Sequence, residues 1–179
     1  ISLYAIIQAI EEKELNKRMH GFIMEGDVLK VQETLKIGAN PNETHSNGNT
    51  PLHIAVYKNL DMVKCLIEKG AKVDLSNKQG QTSLMLAVEQ GNCEIIDFLI
   101  QHGADVNAKD ENGCTPLMYS ANIWQEGKRL EIVKFLIEQC KADISLTNNS
   151  GQTVLMVHAI AGSMDIFHYL LNEHNLTID

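Results

Sequence analysis

Proline and aromatic side chains are scarce in this sequence: 3 prolines, and aromatics at 5% of 179 residues. Positive charge is not in excess. Lys and Arg number 15 against 23 Asp and Glu, a formal net charge of −8. The charge is spread evenly, with 5 basic and 7 acidic residues over 1–47, 6 and 9 over 48–113, and 4 and 7 over 114–179. No segment forms a basic patch, which argues against nucleic acid or an anionic membrane surface as a partner. Long apolar runs are missing too. The longest, from Val154 to Ala161, is interrupted by His158 and falls far short of the ~18 residues of a membrane span. The N-terminus has no basic region or small-residue cleavage site of a signal peptide, and its first residue, Ile1, suggests a piece cut from a longer chain.

Cysteine is sparse and scattered. Cys65, Cys93, Cys114 and Cys140 are separated by 28, 21 and 26 residues, with no CxxC, HExxH or zinc-finger spacing. They read as reduced thiols of an intracellular protein, in cytoplasm or nucleus, or in host cytoplasm if the chain is a secreted effector. No metal and no cofactor is expected. The seven histidines (20, 45, 53, 102, 158, 168, 174) show no catalytic spacing, and no phosphate loop, nucleophile elbow or EF-hand is present. The sequence therefore predicts no enzyme active site.

What is present is a repeat. Gly48, Gly80, Gly113 and Gly151 are 32, 33 and 38 residues apart, and each opens a Gly-x-Thr-x-Leu stretch: NTPLHIAV, QTSLMLAV, CTPLMYSA and QTVLMVHA. An apolar quartet at i, i+1, i+4, i+5 follows each one. The quartets are Met62/Val63/Leu66/Ile67, Ile95/Ile96/Leu99/Ile100, Ile132/Val133/Leu136/Ile137 and Ile166/Phe167/Leu170/Leu171. Each Thr is a helix cap, Pro51 and Pro116 fit a first helical position, and the quartet places an apolar stripe on a second helix. Gly91 and Gly162 break the two helices, and Asn59 is the candidate for that break in the unit one residue short. Gly70 and Gly103 end the second helix, before turns NKQG and DENG. Neither helix buries its stripe alone, so the units must stack.

The stretches Gly48–Ala55 and Leu99–Gly113 (LIQHGADVNAKDENG) resemble the ankyrin repeat, and the likeness extends over about residues 15–179. The resemblance implies an all-α solenoid of stacked helix–turn–helix units with β-turn fingertips. It would form one domain over 1–179: a helical extension at 1–14, then repeats at about 15–47, 48–79, 80–112, 113–150 and 151–179. Repeat one is degenerate. Met19-His20 fall at the Leu-His positions, and the quartet becomes Lys30, Val31, Thr34 and Leu35, as suits a cap with one face in water. Residues 3–14 read as an amphipathic helix (Leu3, Ile6, Ile7 and Ile10 against Glu11, Glu12 and Glu14), either an extra capping helix or part of an upstream element.

His53 is implied to hydrogen-bond its capping turn, and Met85, Met118 and Met156 take its slot elsewhere. Without the histidine those caps should be slightly weaker, and the methionines pack between first helices. Repeat four carries about four extra residues between its helices, within 122–131, and one more near Cys140-Lys141. Its Trp124, the sole tryptophan, either anchors a partner or folds back over a neighbouring loop. NLTID at the C-terminus echoes KADIS at 141–145. The last quartet is fully apolar, which favours continuation of the array over a lost cap.

The family's function implied for this chain is protein–protein interaction through the concave fingertip and first-helix face. Its variable positions transfer as Ser46, Asn47, Asn49, Tyr57 and Lys58 in repeat two, and Lys78, Gln79, Gln81, Glu89 and Gln90 around repeat three. Repeat four gives Glu111, Asn112, Cys114, Asn122 and Trp124, and repeat five Asn149, Ser150, Gln152 and Ile160. Tyr57 and Trp124 are the expected anchors, in a polar and weakly charged groove that suits a protein or peptide partner of a monomer. The alternatives are a targeting or substrate-recruiting arm of a larger multidomain enzyme or effector, and a purely structural spacer. Asn107 resembles the tip asparagine that asparaginyl hydroxylase modifies, against the plainer reading of a turn asparagine bonding its own loop.

Overall fold

Capping side chains set the register of every helix pair. Thr50, Thr82, Thr115 and Thr153 lie in extended backbone, and each hydroxyl accepts the amide three residues on, at 3.4–3.5 Å. These bonds begin the short first helices α3 (Pro51–Ala55), α5 (Ser83–Glu89), α7 (Pro116–Tyr119) and α9 (Val154–Ile160) of the computed structural model, which describes residues 2–174. The second helices are α2 (Val28–Lys36), α4 (Leu60–Glu68), α6 (Cys93–Gln101), α8 (Glu126–Lys134) and α10 (Met164–His174). Side chains of Asp27, Asn59 and Asn92 cap α2, α4 and α6 by accepting from Lys30, Met62 and Ile95 amides. Asn59 is thus not a left-handed break: its φ of −160° is extended, and it serves as an N-cap. Gly91 and Gly162 do adopt positive φ, at 69° and 70°.

The quartets turn mostly inward, although Ile67, Ile100, Phe167 and Leu171 are only half-buried. Met62, Val63, Leu66, Ile95, Ile96, Leu99, Ile132, Val133, Leu136, Ile166 and Leu170 are fully buried, each contributing on the order of 1.5–3 kcal/mol. The fold is all-α, and among the described residues the only β-pairing is an isolated bridge between Thr147 and Thr153. The NLTID echo at the C-terminus lies outside the described residues.

The chain divides into two compact units, Ile1–Lys78 and Gln79–Asp179. In the first, α1 (Leu3–Glu25) packs on α2 and α3, and α2 on α4. Helix α1 is one unbroken element about 34 Å long; nothing between Glu14 and Met19 caps or breaks it. Leu3, Ile6, Ile7 and Ile10 are 45–73% exposed, so the stripe expected to cap the array is not packed. Met19 and Ile23 are the buried apolar residues of this helix. In repeat one, Thr34 departs from the expected polar outer face. It is buried, and its hydroxyl donates to the Lys30 and Val31 carbonyls.

In the second unit, α5 packs on α7 and α7 on α9, while α10 packs on α8 and α9. The extra residues of repeat four do not form a longer turn. After a 3-10 turn (Ser120–Asn122), they add a helical turn to the start of α8, which begins at Glu126. The single extra residue downstream is absorbed by a π-helical turn, Phe135–Gln139. It leaves Lys141 at φ 59°, the slot held by Gly38, Gly70 and Gly103 elsewhere.

Turns at the fingertips are laced together by backbone. Lys78 donates to the Asn47 carbonyl in the first unit; Glu111 donates to Gln79 and Asn149 to Asn112 in the second, at 2.8–3.0 Å. The approach is so close that a Cβ on Gly80, at φ 74°, would lie 2.5 Å from the Glu111 nitrogen. That closeness accounts for the period glycine at 48, 80 and 113, whereas Gly151 has open space there and only its positive φ of 74° calls for glycine.

Candidate functional site

Many of the residues assigned to recognition are committed to their own turns. In the first unit, Asn47 Oδ1 accepts the Asn49 amide, and Asn49 Oδ1 accepts from Asn77 Nδ2 at 2.9 Å. Lys58 reaches back to the Met24 carbonyl at the C-terminal end of α1, at 2.8 Å, where a cation meets the negative end of the helix. Ser46 and Lys78 are exposed, and Tyr57 is 49% exposed. A groove of about 790 Å³ runs along α1 and is lined by Ile10, Lys13, Lys17, His20, Glu43 and His45, among others. There the His20 and His45 rings meet with centroids 3.8 Å apart, tilted by 48°. Burial, and then the His45 charge, lower the His20 pKa. His20 does not cap a helix, because α1 runs straight through its position.

His53 behaves as the resemblance implies. It is fully buried, and its Nδ1 accepts the Thr50 amide at 3.1 Å and lies 2.7 Å from the Thr50 hydroxyl. Met85 in the same slot is no empty substitute: its sulfur accepts the Thr82 amide at 3.4 Å, a weaker version of that cap. Met85 and Met118 are buried, as expected of packing residues, whereas Met156 is 47% exposed.

In the second unit a network missed at the sequence level centres on Asp110. Its Oδ1 accepts the amides of Asn112 and Cys114, and its Oδ2 accepts the Tyr119 hydroxyl at 2.8 Å, which in turn accepts from Gln81 Nε2 at 3.0 Å. Burial first, and the Asp110 carboxylate with it, push the Tyr119 hydroxyl well above the usual tyrosine range. Gln81 and Asn112 are therefore part of the turn's own bonding. A tyrosine in the column held by Ile54, Leu86 and Val157 was the only sequence signal.

Asn122 donates to Glu89 Oε1 at 3.0 Å, tying two expected contact residues together. Glu111 lends its carbonyl to Asn149 Nδ2, Gln152 accepts from Asn148 Nδ2, and the Gln79 carbonyl is used in the lacing. Burial raises the Cys114 thiol, whose sulfur lies 3.9 Å from Asn148 Nδ2. Gln90, Ser150 and Ile160 are exposed. Asn107 Oδ1 accepts the Asp143 amide at 2.9 Å, so it bonds the loop of the next repeat rather than its own. Its own turn is closed by Asp105, whose Oδ1 accepts the Asn107 amide.

Trp124 does not fold back. It is 82% exposed, directly after Ile123, whose side chain is 2% exposed. Beneath it lies a buried polar cluster that the motifs did not signal. Arg129, 8% exposed, donates from Nε (2.7 Å) and Nη2 to the Ile123 carbonyl, and from Nη1 to Ser163 Oγ at 2.7 Å. His158 is fully buried beside it, with Nε2 3.1 Å from Ser120 Oγ and Nδ1 without a partner. Desolvation, then the Arg129 charge, pull the His158 pKa down to about 4. Among the described residues no group of three or more His, Cys, Asp or Glu could hold a metal ion, and no helix is long and apolar enough to cross a membrane.

The ankyrin-repeat family model (three copies) matches residues 19–110 and 104–179. The chain belongs to the ankyrin-repeat family. It is 44% identical over 66 residues to an ankyrin repeat protein of fowlpox virus, FPV240, and 31% identical over 128 residues to an ankyrin repeat-containing protein of Schizosaccharomyces pombe, P1E11.10. It is also 35% identical over 83 residues to a protein of Oryza sativa named as a probable E3 ubiquitin-protein ligase, XBOS33. These matches cover 36%, 71% and 45% of the chain, and 16%, 42% and 16% of the respective relatives. Ankyrin repeats are protein–protein interaction modules, and the chain spans less than half the length of each of these relatives.

Proposed function

We propose that this chain binds a protein or peptide partner through its fingertip turns and the ends of its first helices, with Tyr57 and Trp124 as anchors and no catalytic role of its own. Trp124 carries the reading: a sole tryptophan, 82% exposed, standing on an insertion that repeats two, three and five lack. An exposed indole gains most by being covered, and tryptophan and tyrosine are the side chains that concentrate binding energy. Besides the anchors, Lys78, Gln90, Ser150 and the outer atoms of Glu111 and Asn112 supply polar contacts; Asn47, Asn49, Lys58 and Gln81 mainly hold the turns. The reading includes an intracellular monomer with four free thiols, five repeats in one array, and a partner that is not nucleic acid.

The test is recovery of cellular partners by proximity labelling with wild-type chain and with Trp124→Ala and Tyr57→Ala. Each variant is expected to lose at least about tenfold of the labelled partner, the 1.4 kcal/mol scale of a modest hot spot, at an unchanged Tm. A labelling profile insensitive to both substitutions would sink the site assignment. A second reading is favoured by the relative named as an E3 ligase: the array recruits a substrate for a larger enzyme. The full-length open reading frame separates the two, since only the second requires a catalytic domain in the same chain.

A further inference from the structure

We propose that Arg129 is the positioning residue of the Trp124 contact, holding the backbone that presents the indole; this rests on the reading of Trp124 as an anchor. Aligned on the quartets, Arg129 occupies the slot of Asp27, Asn59, Asn92 and Ser163, and the first three of these accept helix amides as N-caps. Arginine has donors only, so it cannot perform that task. In repeat four the N-cap position moves a turn earlier, to Gln125, which makes no side-chain cap, and the slot becomes free for the opposite polarity. Arg129 fills it and donates to a carbonyl.

The carbonyl it holds belongs to Ile123, the residue before Trp124. Nε at 2.7 Å and Nη2 both point at that oxygen. The Arg129 amide bonds the Gln125 carbonyl at 2.9 Å, so both neighbours of Trp124 are tied to one residue. The buried Ile123 side chain fixes the same point from the other side, close to Gly91. Nη1 extends the hold to Ser163 at the start of α10, 2.7 Å away. Packing alone does not call for an arginine here: burying a guanidinium carries a desolvation penalty that an apolar filler avoids. What the fork adds is a fixed loop under an exposed indole. A fixed anchor binds more tightly because less ordering remains to be done at association.

Two measurements test this, the first without any partner. In Arg129→Lys the charge stays but the fork is lost. Backbone ¹⁵N relaxation should show the Trp124 amide falling from a rigid order parameter, about 0.85, to below about 0.6, with the amides of Thr82–Val88 unchanged. Ser163→Ala keeps both bonds to Ile123 and should lower it much less. The second measurement is the yield, in cells, of the adduct from p-benzoylphenylalanine placed at exposed Gln90. Arg129→Lys should reduce it roughly two- to tenfold, the range of one side-chain-ordering term, and should add nothing in the Trp124→Ala background. A folded Arg129→Lys protein with a wild-type Trp124 amide overturns the proposal and leaves the anchor reading standing. Normal relaxation loss combined with an adduct yield indifferent to Trp124→Ala overturns the anchor reading, and the positioning role with it.

Discussion

Lys141 is the one non-glycine with positive φ among the described residues, at 59°. Its slot precedes Ala142, in register with Ala39, Ala71 and Ala104, where Gly38, Gly70 and Gly103 end their helices in the same left-handed geometry. Left-handed backbone costs an L-residue about 1–2 kcal/mol, and a glycine gives back roughly 0.4–1 kcal/mol through extra freedom in the unfolded chain. Lys141→Gly is therefore expected to stabilise the protein by about 0.5–1 kcal/mol in urea denaturation. The lysine amine donates to the Glu138 carbonyl at 2.7 Å, so Lys141→Ala serves as the control that removes this contact and keeps the strain. Equal stability for wild type and Lys141→Gly, or a loss, would show that the π turn before it does not leave the backbone strained. The extra residue near Cys140-Lys141 is visible in the repeat length, but the strain is not. A one-residue insertion can be absorbed by a bulge, a looser turn or a shifted cap, and only packing selects among them.

Helix starts and quartet stripes were legible because each depends on residues within one turn: a Thr with a free oxygen, a Pro without an amide, apolar pairs four apart. The buried polar cluster shared by repeats four and five was not. His158 occupies a slot held by Ala55, Ala87 and Ser120; its hydrogen-bond neighbour Ser120 and the Arg129 charge that acts on it lie 38 and 29 positions away. Its behaviour with pH follows from that burial. Burial and the Arg129 charge favour the neutral ring, outweighing the opposite pull of the Leu117 carbonyl and Asp165, and the pKa sits at about 4 against the ordinary 6.5. A depressed folded value means that the stabilising contribution is complete above pH 6.5. It is lost as pH falls from 6.5 towards about 4, and changes no further below that. The full span is worth roughly 3 kcal/mol, and the part between pH 6.5 and 5 about 2 kcal/mol. Urea denaturation at pH 7.5 and 5.0 should show a loss in wild type larger by that amount than in His158→Ala, which restores the residue of repeats two and three. Parallel pH profiles for the two proteins would mean that His158 titrates normally.

At the scale of the whole molecule, charge decides how a partner is met. The net charge is −8, but each third of the chain carries nearly the same small excess of acid, and of the proposed contact residues only Lys58, Lys78, Glu89 and Glu111 are charged. Of these, Lys58 is already turned onto a helix end and Glu89 onto Asn122. Evenly distributed charge at this density produces no focused field, so association gains little from steering. Apolar anchoring by an indole and a phenol is insensitive to screening, whereas exposed charge pairs are largely screened once the Debye length falls to about 3 Å at 1 M salt. The partner recovered with wild-type chain should therefore be retained with less than about a threefold change in Kd between 50 and 500 mM NaCl, a difference below about 0.7 kcal/mol. Titration by calorimetry or fluorescence of Trp124 measures it, since the sole tryptophan reports on the proposed contact itself. A Kd that rises tenfold or more over that range would place the binding energy in ion pairs. The partner would then sit on exposed charged side chains rather than on the anchors.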